Sequence, residues 1–381
     1  MKPKEIVVDL VKVAFIVLII KVMATTSVLM PWNTLIDNMC IVFAIFVMLA
    51  KFCKLTFRLY KLIGLAILSL ISLYTCVSMG QYDLLVTVVT ICLLINEDLE
   101  EYIALMLKVQ IWFLAINAAV AGFLSLVGME EYFWIWTDQR LRFTGGLRHP
   151  NVLSCYITSC MMMFAWLRFR HITVNEFGWM ICVTVLSFGM SRSRAGLLLN
   201  LLLLLLIFLT QNESRLVKQL INPALLLSFA GLTAVIYWAT KQYASGNSTA
   251  LMLDEMMTGR IKYAAYAYLR SGMTLLPRYL DYAQTGVVSW TPEWNLNNFT
   301  FDNFYSFLFM QMGMIWIGII ALLLVLVCKK FDFRNKLFIL FWLLFATVEV
   351  LGLNCFKFFP LLLFSTLLSG KKAKFPPRRS L

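Results

Sequence analysis

Apolar residues run through this chain in long, nearly unbroken stretches, not at the spacings of half-buried strands or amphipathic helices. A helix crossing roughly 30 Å of hydrocarbon needs about 20 such residues, since each adds about 1.5 Å. That ruler predicts spans near 7–25, 35–50, 62–79, 84–96, 102–127, 152–167, 177–190, 195–209, 221–239, 304–327, 337–353 and 357–369. The fourth and seventh are short, and Lys12 and Lys21 interrupt the first. The expected fold class is therefore all-α: a polytopic integral membrane protein with about 12 transmembrane helices in a single transmembrane domain over 1–381. Residues 240–303 form one large extracytoplasmic loop within it. An amphipathic helix is expected there from Thr258, with Arg260, Tyr263, Ala267 and Arg270 on one face, followed by Trp290, Trp294, Asn295, Asn297 and Asn298. Such a loop suits a lid that offers stacking surfaces to sugars, or an interfacial helix lying on lipid.

Composition sharpens the class. The chain is 61% hydrophobic and 14% charged, with a mean hydropathy of +0.81. A soluble fold cannot bury that excess, so a bilayer must solvate it. All nine cysteines lie in or beside apolar runs without a CxxC pair, which indicates neither a metal site nor a disulfide framework. The opening Met-Lys-Pro-Lys and its apolar run resemble a signal peptide, but no small-x-small cleavage site follows, so a retained first span is expected.

The net charge of +13 sits mostly in short loops, the pattern of anchoring against an anionic leaflet and not of nucleic-acid binding. With the N-terminus inside, inner segments carry 19 Lys and Arg against 10 outside, which selects cytoplasmic N- and C-termini. The outer ten fall in only three segments, and eight are arginines: Arg140, Arg142, Arg148, Arg192, Arg194, Arg260, Arg270 and Arg278. The planar guanidinium fork matches a pair of phosphate oxygens better than an ammonium does, so arginines that defy the positive-inside trend point to an anionic ligand. Headgroup snorkelling is the plainer account. The expectation is that Arg140–Asn151, Ser191–Arg194 and Thr258–Arg260 meet on one face of the membrane and hold a doubly negative, lipid-linked substrate.

Local chemistry supports an anion site. Gly145-Gly146 permits a tight turn, and Pro150 suits the first turn of the next helix. That helix then presents its positive N-terminal end beside Arg142 and Arg148. Arg192 and Arg194 precede the span beginning at Ala195, where Gly196 permits close helix approach. His149 has a ligand-contact or proton-transfer role open to it, whereas His171 reads as interfacial. Asn303 reads as an N-cap, Asp302 is one of few outer carboxylates, and Glu349 and Lys357 suit a mutual salt bridge. No Walker loop, HExxH, GxSxG or paired metal carboxylate stands out, which argues against ATPases, zinc proteases, lipases and metal-dependent nucleotide-sugar enzymes.

Four motifs carry a resemblance. Gly145-Gly-Leu-Arg-His-Pro-Asn151 looks like the G-x-x-x-H-P-N stretch of the O-antigen polymerase and ligase family (Wzy- and WaaL-type membrane glycosyltransferases). Ser191-Arg-Ser-Arg-Ala-Gly196 is similar to its S-x-S-R-x-G, Thr258-Gly-Arg260 to its S/T-G-R, and Asp302-Asn-Phe-Tyr305 to its D-N-x-Y. The match covers roughly 140–315. Ligases place a histidine in the large loop, and 240–303 has none, which favours a polymerase, closest to those of Gram-positive capsule and exopolysaccharide clusters.

The resemblance implies a GT-C-like, metal-independent glycosyltransferase of the bacterial cytoplasmic membrane that needs no cofactor. Donor and acceptor are polyprenyl-diphosphate-linked glycans; membrane lipid, a flippase and chain-length regulator proteins are its partners, and nucleic acid is not. Arg142, Arg148, Asn151, Arg192, Arg194, Arg260 and Arg270 are then substrate ligands, Tyr305 a sugar contact, and Asp302 or His149 the base. Rival readings are a flippase or transporter for lipid-linked oligosaccharide, an O-antigen ligase and a membrane acyltransferase. Charges gathered at outer loops, with no duplicated half, weigh against a transporter.

Overall fold

The computed structural model describes residues 3–30, 32–56, 59–129, 132–137, 140–211, 215–257, 259–280, 301, 303–347 and 353–369. Most are helical. The helices are α1 (Pro3–Thr26), α2 (Thr34–Phe52), α3 (Leu59–Met79), α4 (Asp83–Leu93), α5 (Leu99–Leu126), α6 (Pro150–Leu167), α7 (Val174–Ser191), α8 (Arg194–Gln211), α9 (Arg215–Ala244), α10 (Ser248–Met256), α11 (Arg260–Ser271), α12 (Phe304–Phe307), α13 (Met314–Lys330), α14 (Phe333–Phe345) and α15 (Ser365–Leu368). One antiparallel hairpin, β1 (Trp134–Thr137) and β2 (Arg140–Phe143), interrupts them. Among the described residues, six helices are long and apolar enough to cross a membrane: α2, α3, α5, α6, α7 and α9. The chain is a helical, membrane-embedded protein.

Chain contacts divide it into two compact units, one drawn from 1–66, 86–217 and 354–381, the other from 67–85 and 218–353. In the first, local sequence sets the helix starts. Asn33 accepts the Ile36 amide at 2.9 Å, Asp98 that of Glu100 at 3.1 Å, and Thr173 and Glu176 close a reciprocal capping box before α7. The lysines that interrupt the first span are paired. Lys12 meets Glu101 at 2.6 Å and Lys21, buried, meets Asp37 at 3.0 Å. An ion pair in place of a lone charge lets α1 keep them.

Two expected spans take other forms here. The span at 84–96 is an 11-residue helix, α4, buried without a break from Val86 to Leu93. The continuous helix expected over 357–369 is replaced by buried irregular backbone at 354–358 and a 3-10 turn, Phe359–Phe364, leading into α15. Its backbone is satisfied by protein: Thr87 accepts the Cys355 amide at 3.0 Å, Asn354 accepts that of Phe356 at 2.9 Å, and Gln110 donates to the Phe356 carbonyl. Non-helical backbone persists in a membrane protein only where such partners replace water.

In the second unit, α9, α10 and α11 pack through Ala239, Tyr243, Ala250, Ile261 and Ala265. The expected amphipathic helix is α11, which buries Ile261 and Ala264–Ala267. The span expected over 304–327 is broken. After α12 a π turn, Leu308–Met312, ends at Gly313 (φ 83°, ψ 165°). There Thr274 and Leu275 carbonyls accept the Met314 and Ile315 amides at 2.8 and 3.1 Å. A Cβ on Gly313 would sit 2.7 Å from the Leu275 carbonyl oxygen, so only glycine admits this approach.

Candidate functional site

Within the stretch 140–151, residues 142–147 are buried in the first unit. Phe143 packs edge-on against Phe133 at 4.6 Å between ring centroids. Gly145 and Gly146 are both left-handed (φ 58° and 80°), the expected turn. That turn is pinned from below by Asn117 of α5, whose amide donates to the Gly145 carbonyl at 2.7 Å and accepts from the Ser27 hydroxyl at 2.7 Å. A Cβ on Gly146 would lie 2.5 Å from that amide nitrogen, so the turn and Asn117 are matched. Backbone bonds Val28 N to Gly146 O (2.9 Å) and Arg148 N to Thr26 O (2.9 Å) stitch the stretch to the end of α1.

The turn delivers the chain to α6. His149 is its N-cap: Nδ1 accepts the Asn151 amide at 3.1 Å, and Pro150 occupies the first turn as expected. With Nδ1 accepting, a neutral ring carries its proton on Nε2 and presents a donor there.

The motif Ser191-Arg-Ser-Arg-Ala-Gly196 makes the α7–α8 turn. Ser191 bonds back to the Ser187 carbonyl at 2.7 Å and accepts the Ser193 amide at 3.2 Å. Arg192 adopts φ 53° as it ends α7. Ser193 caps α8 by accepting the Gly196 amide at 3.3 Å. Gly196 is the point of closest approach to α6, for a Cβ there would lie 1.7 Å from Ser154 Oγ. Two helix starts, α6 and α8, thus stand side by side in one unit, each with a neutral cap.

Arg142 ties them together. Its side chain is 7% exposed, Nε donates to the Ser191 carbonyl at 2.7 Å and Nη2 to Asn151 Oδ1 at 2.9 Å. Through these bonds Arg142 and Asn151 position the start of α6 against the end of α7. Arg148, Arg192 and Arg194 are exposed and flank the two helix starts. Their side chains make no ion pair or hydrogen bond among the described residues. Arginine's fork beside helix N-termini, uncompensated by a carboxylate, is a competent anion site.

Arg260 and Arg270 belong to the second unit, at opposite ends of α11 and about 15 Å apart by helix rise, too far to share one phosphate. The α11 start is already occupied by a carboxylate: Asp254 accepts the Ile261 and Lys262 amides at 2.7 and 2.9 Å. Tyr305 is fully buried against Phe229 and Phe304 and donates its hydroxyl to the Leu343 carbonyl at 2.9 Å. It is a packing residue, which corrects its assignment as a sugar contact. Asn303 caps α12 as expected, accepting the Tyr305 amide at 2.8 Å. Arg278 serves the C-terminal end of α11, donating to Ser271 and Gly272 carbonyls at 2.9 and 2.7 Å. Thr258, Trp290, Trp294, Asn295, Asn297, Asn298, Asp302 and Glu349 lie outside the described residues.

Sequence reasoning passed over Asn117, which holds the Gly145 turn, and Ser154, which packs against Gly196. Asn117 carried a usable signal, a polar side chain inside a 28-residue apolar helix. Compared with known proteins, the chain matches no family model, no curated protein and no solved structure.

Proposed function

We propose that this chain is a polysaccharide polymerase that joins polyprenyl-diphosphate-linked oligosaccharide repeat units on the outer face of a bacterial cytoplasmic membrane. The observation supporting it is the grouping of exposed Arg148, Arg192 and Arg194 around two adjacent, neutrally capped helix starts, locked in place by buried Arg142. On this reading about twelve segments lie in the bilayer in a GT-C-like arrangement, with both termini cytoplasmic.

The chemistry asks little more of the protein. An acceptor hydroxyl attacks the anomeric carbon, forming the new glycosidic C–O bond. The bond from that carbon to the diphosphate breaks, and its electron pair leaves with polyprenyl diphosphate. Charge develops on the diphosphate oxygens, so preorganised guanidinium groups and helix N-termini favour the transition state over the ground state. The hydroxyl proton needs a base, a role assigned to Asp302 through its motif. His149 is the weaker choice, since its Nδ1 is committed to the cap and its Nε2 then acts as a donor. Arg260 remains a ligand on the strength of its motif, and Arg270 as one of the arginines that defy the positive-inside trend.

The test uses the purified full chain in nanodiscs with a polyprenyl-diphosphate-linked repeat unit and no nucleotide. A ladder of longer lipid-linked glycans is expected, lost in Arg194→Ala and in Arg260→Ala. An undiminished ladder in Arg194→Ala overturns the assignment of the site. Movement of the lipid between leaflets of proteoliposomes without a ladder makes the protein a transporter.

A further inference from the structure

Between α7 and α8 runs an apolar groove of about 370 Å³, lined by Phe177, Ile181 and Val185 on one wall and Leu197, Leu201 and Phe208 on the other. Its side chains face outward from the unit: Ile181, Val185, Leu201 and Phe208 are all exposed. The one polar residue along it, Thr184, is buried and donates its hydroxyl to the Met180 carbonyl at 2.9 Å, so the surface offered is hydrocarbon throughout.

The groove is aligned with the arginine site. On α8, Arg194, Leu197, Leu201, Leu205 and Phe208 recur at three- and four-residue steps, and such positions share one helix face. Arg194 therefore heads the stripe that forms one wall, and Arg192 closes the top of the helix that forms the other. From Leu197 to Phe208 the wall runs about 16 Å, half the hydrocarbon thickness. Two helices in contact leave their axes about 8–10 Å apart, so the furrow between them is one hydrocarbon chain wide.

We infer that the α7–α8 groove is the track for the single hydrocarbon chain of an anionic polyprenyl lipid, whose phosphates are held at Arg192 and Arg194. The occupant follows from what the two ends demand together. The cationic end, without a carboxylate partner among the described residues, calls for phosphate, and the apolar end admits one chain per headgroup. A two-chain phospholipid would place its second chain outside the furrow. The inference rests on the proposed polymerase reading for the identity of the lipid, and the groove would orient the diphosphate toward the two helix starts.

The experiment uses the full chain in nanodiscs and a polyprenyl diphosphate bearing a diazirine midway along its chain. After irradiation, label is expected on α7 and α8 between Phe177 and Phe208, displaced by unlabelled polyprenyl diphosphate and not by phosphatidylglycerol. Arg194→Ala and Leu201→Trp, which removes the head contact or fills the furrow, are each expected to lower labelling by about tenfold, near 1.4 kcal/mol. Val185→Trp fills the same furrow from the facing wall and guards against misfolding of either variant. Label on other helices, or equal displacement by phosphatidylglycerol, overturns the inference. An intact glycan ladder in the two groove-filling variants overturns it as well while leaving the polymerase reading standing. Label in the groove with no ladder from the unaltered protein leaves the groove and removes the polymerase.

Discussion

Gly196→Ala probes the seam that sets Arg194 beside α6. The added Cβ would lie 1.7 Å from Ser154 Oγ and 3.0 Å from Ser154 Cβ. The hydroxyl can leave by rotation about χ1, but the Ser154 Cβ cannot, and carbon atoms in contact settle near 3.5–4.0 Å. The helices must part by several tenths of an ångström, or α8 must slide. Overpacking of this kind costs roughly 1–3 kcal/mol. Part of that is shared with Ser154, so Ser154→Gly in the same chain should recover most of it, a coupling of about 1–2 kcal/mol. The assay is thermal unfolding in nanodiscs, run beside the glycan ladder on the four members of the cycle. Gly196→Ala should melt several degrees lower and make shorter ladders, with both restored in the double variant. A Gly196→Ala protein that melts and polymerises like the parent, or a defect that Ser154→Gly fails to relieve, would refute the claim that this contact positions Arg194.

Five further outcomes are expected. Arg142→Lys cannot reach both the Ser191 carbonyl and Asn151, and should lose about 2–3 kcal/mol of stability, since hydrogen bonds from charged groups are worth about 1.5–3 kcal/mol. Arg192→Ala, an exposed change, should stay within about 0.5 kcal/mol while polymer falls; melting curves beside ladders separate the two. His149→Ala should cost about 1 kcal/mol through the lost cap, with His149→Asn restoring stability; a ladder restored with it would limit His149 to capping. Asn200, fully buried on α8, makes no side-chain hydrogen bond among the described residues, so Asn200→Leu should raise the melting point by the equivalent of about 1 kcal/mol. A fall instead would reveal a bound water or ligand on that amide. Burial, chiefly, holds the Asp254 carboxyl above its ordinary value, against the pull of the Lys262 and Ile261 amides. A group raised in the folded state adds stability below its unfolded value and loses it as pH rises through the folded one. Hydrogen exchange at Ile261 and Lys262 should therefore slow on acidification below neutral, beyond the intrinsic change, and this dependence should vanish in Asp254→Asn.

Legibility in the sequence followed the range of the forces involved. Spans such as α5 and α6, the Gly145-Gly146 turn, Pro150 in the first turn and the Asn303 cap are local, and each was readable from neighbouring residues. Gly196 as a close-approach point was readable too, although its partner Ser154 was not. What escaped depends on distant chain. The run from Phe304 to Val327 looks continuous until the 274–278 backbone arrives at Gly313, and nothing within the run signals that arrival. Arg142 and Tyr305 have the composition of ligands, yet the Ser191 and Leu343 carbonyls claim them.

The three arginine segments differ in how their helix starts are capped. At α11 the helix start is held by a carboxylate seven residues upstream, Asp254, so its dipole is compensated before any ligand arrives. At α6 and α8 the caps are an imidazole nitrogen and a hydroxyl, which satisfy an amide but carry no negative charge. Two such starts side by side, with Arg148, Arg192 and Arg194 added, concentrate positive potential at one place on the first unit. That potential favours an anion, and an apolar groove between α7 and α8 leads away from it, the pairing on which the proposed lipid-linked ligand rests.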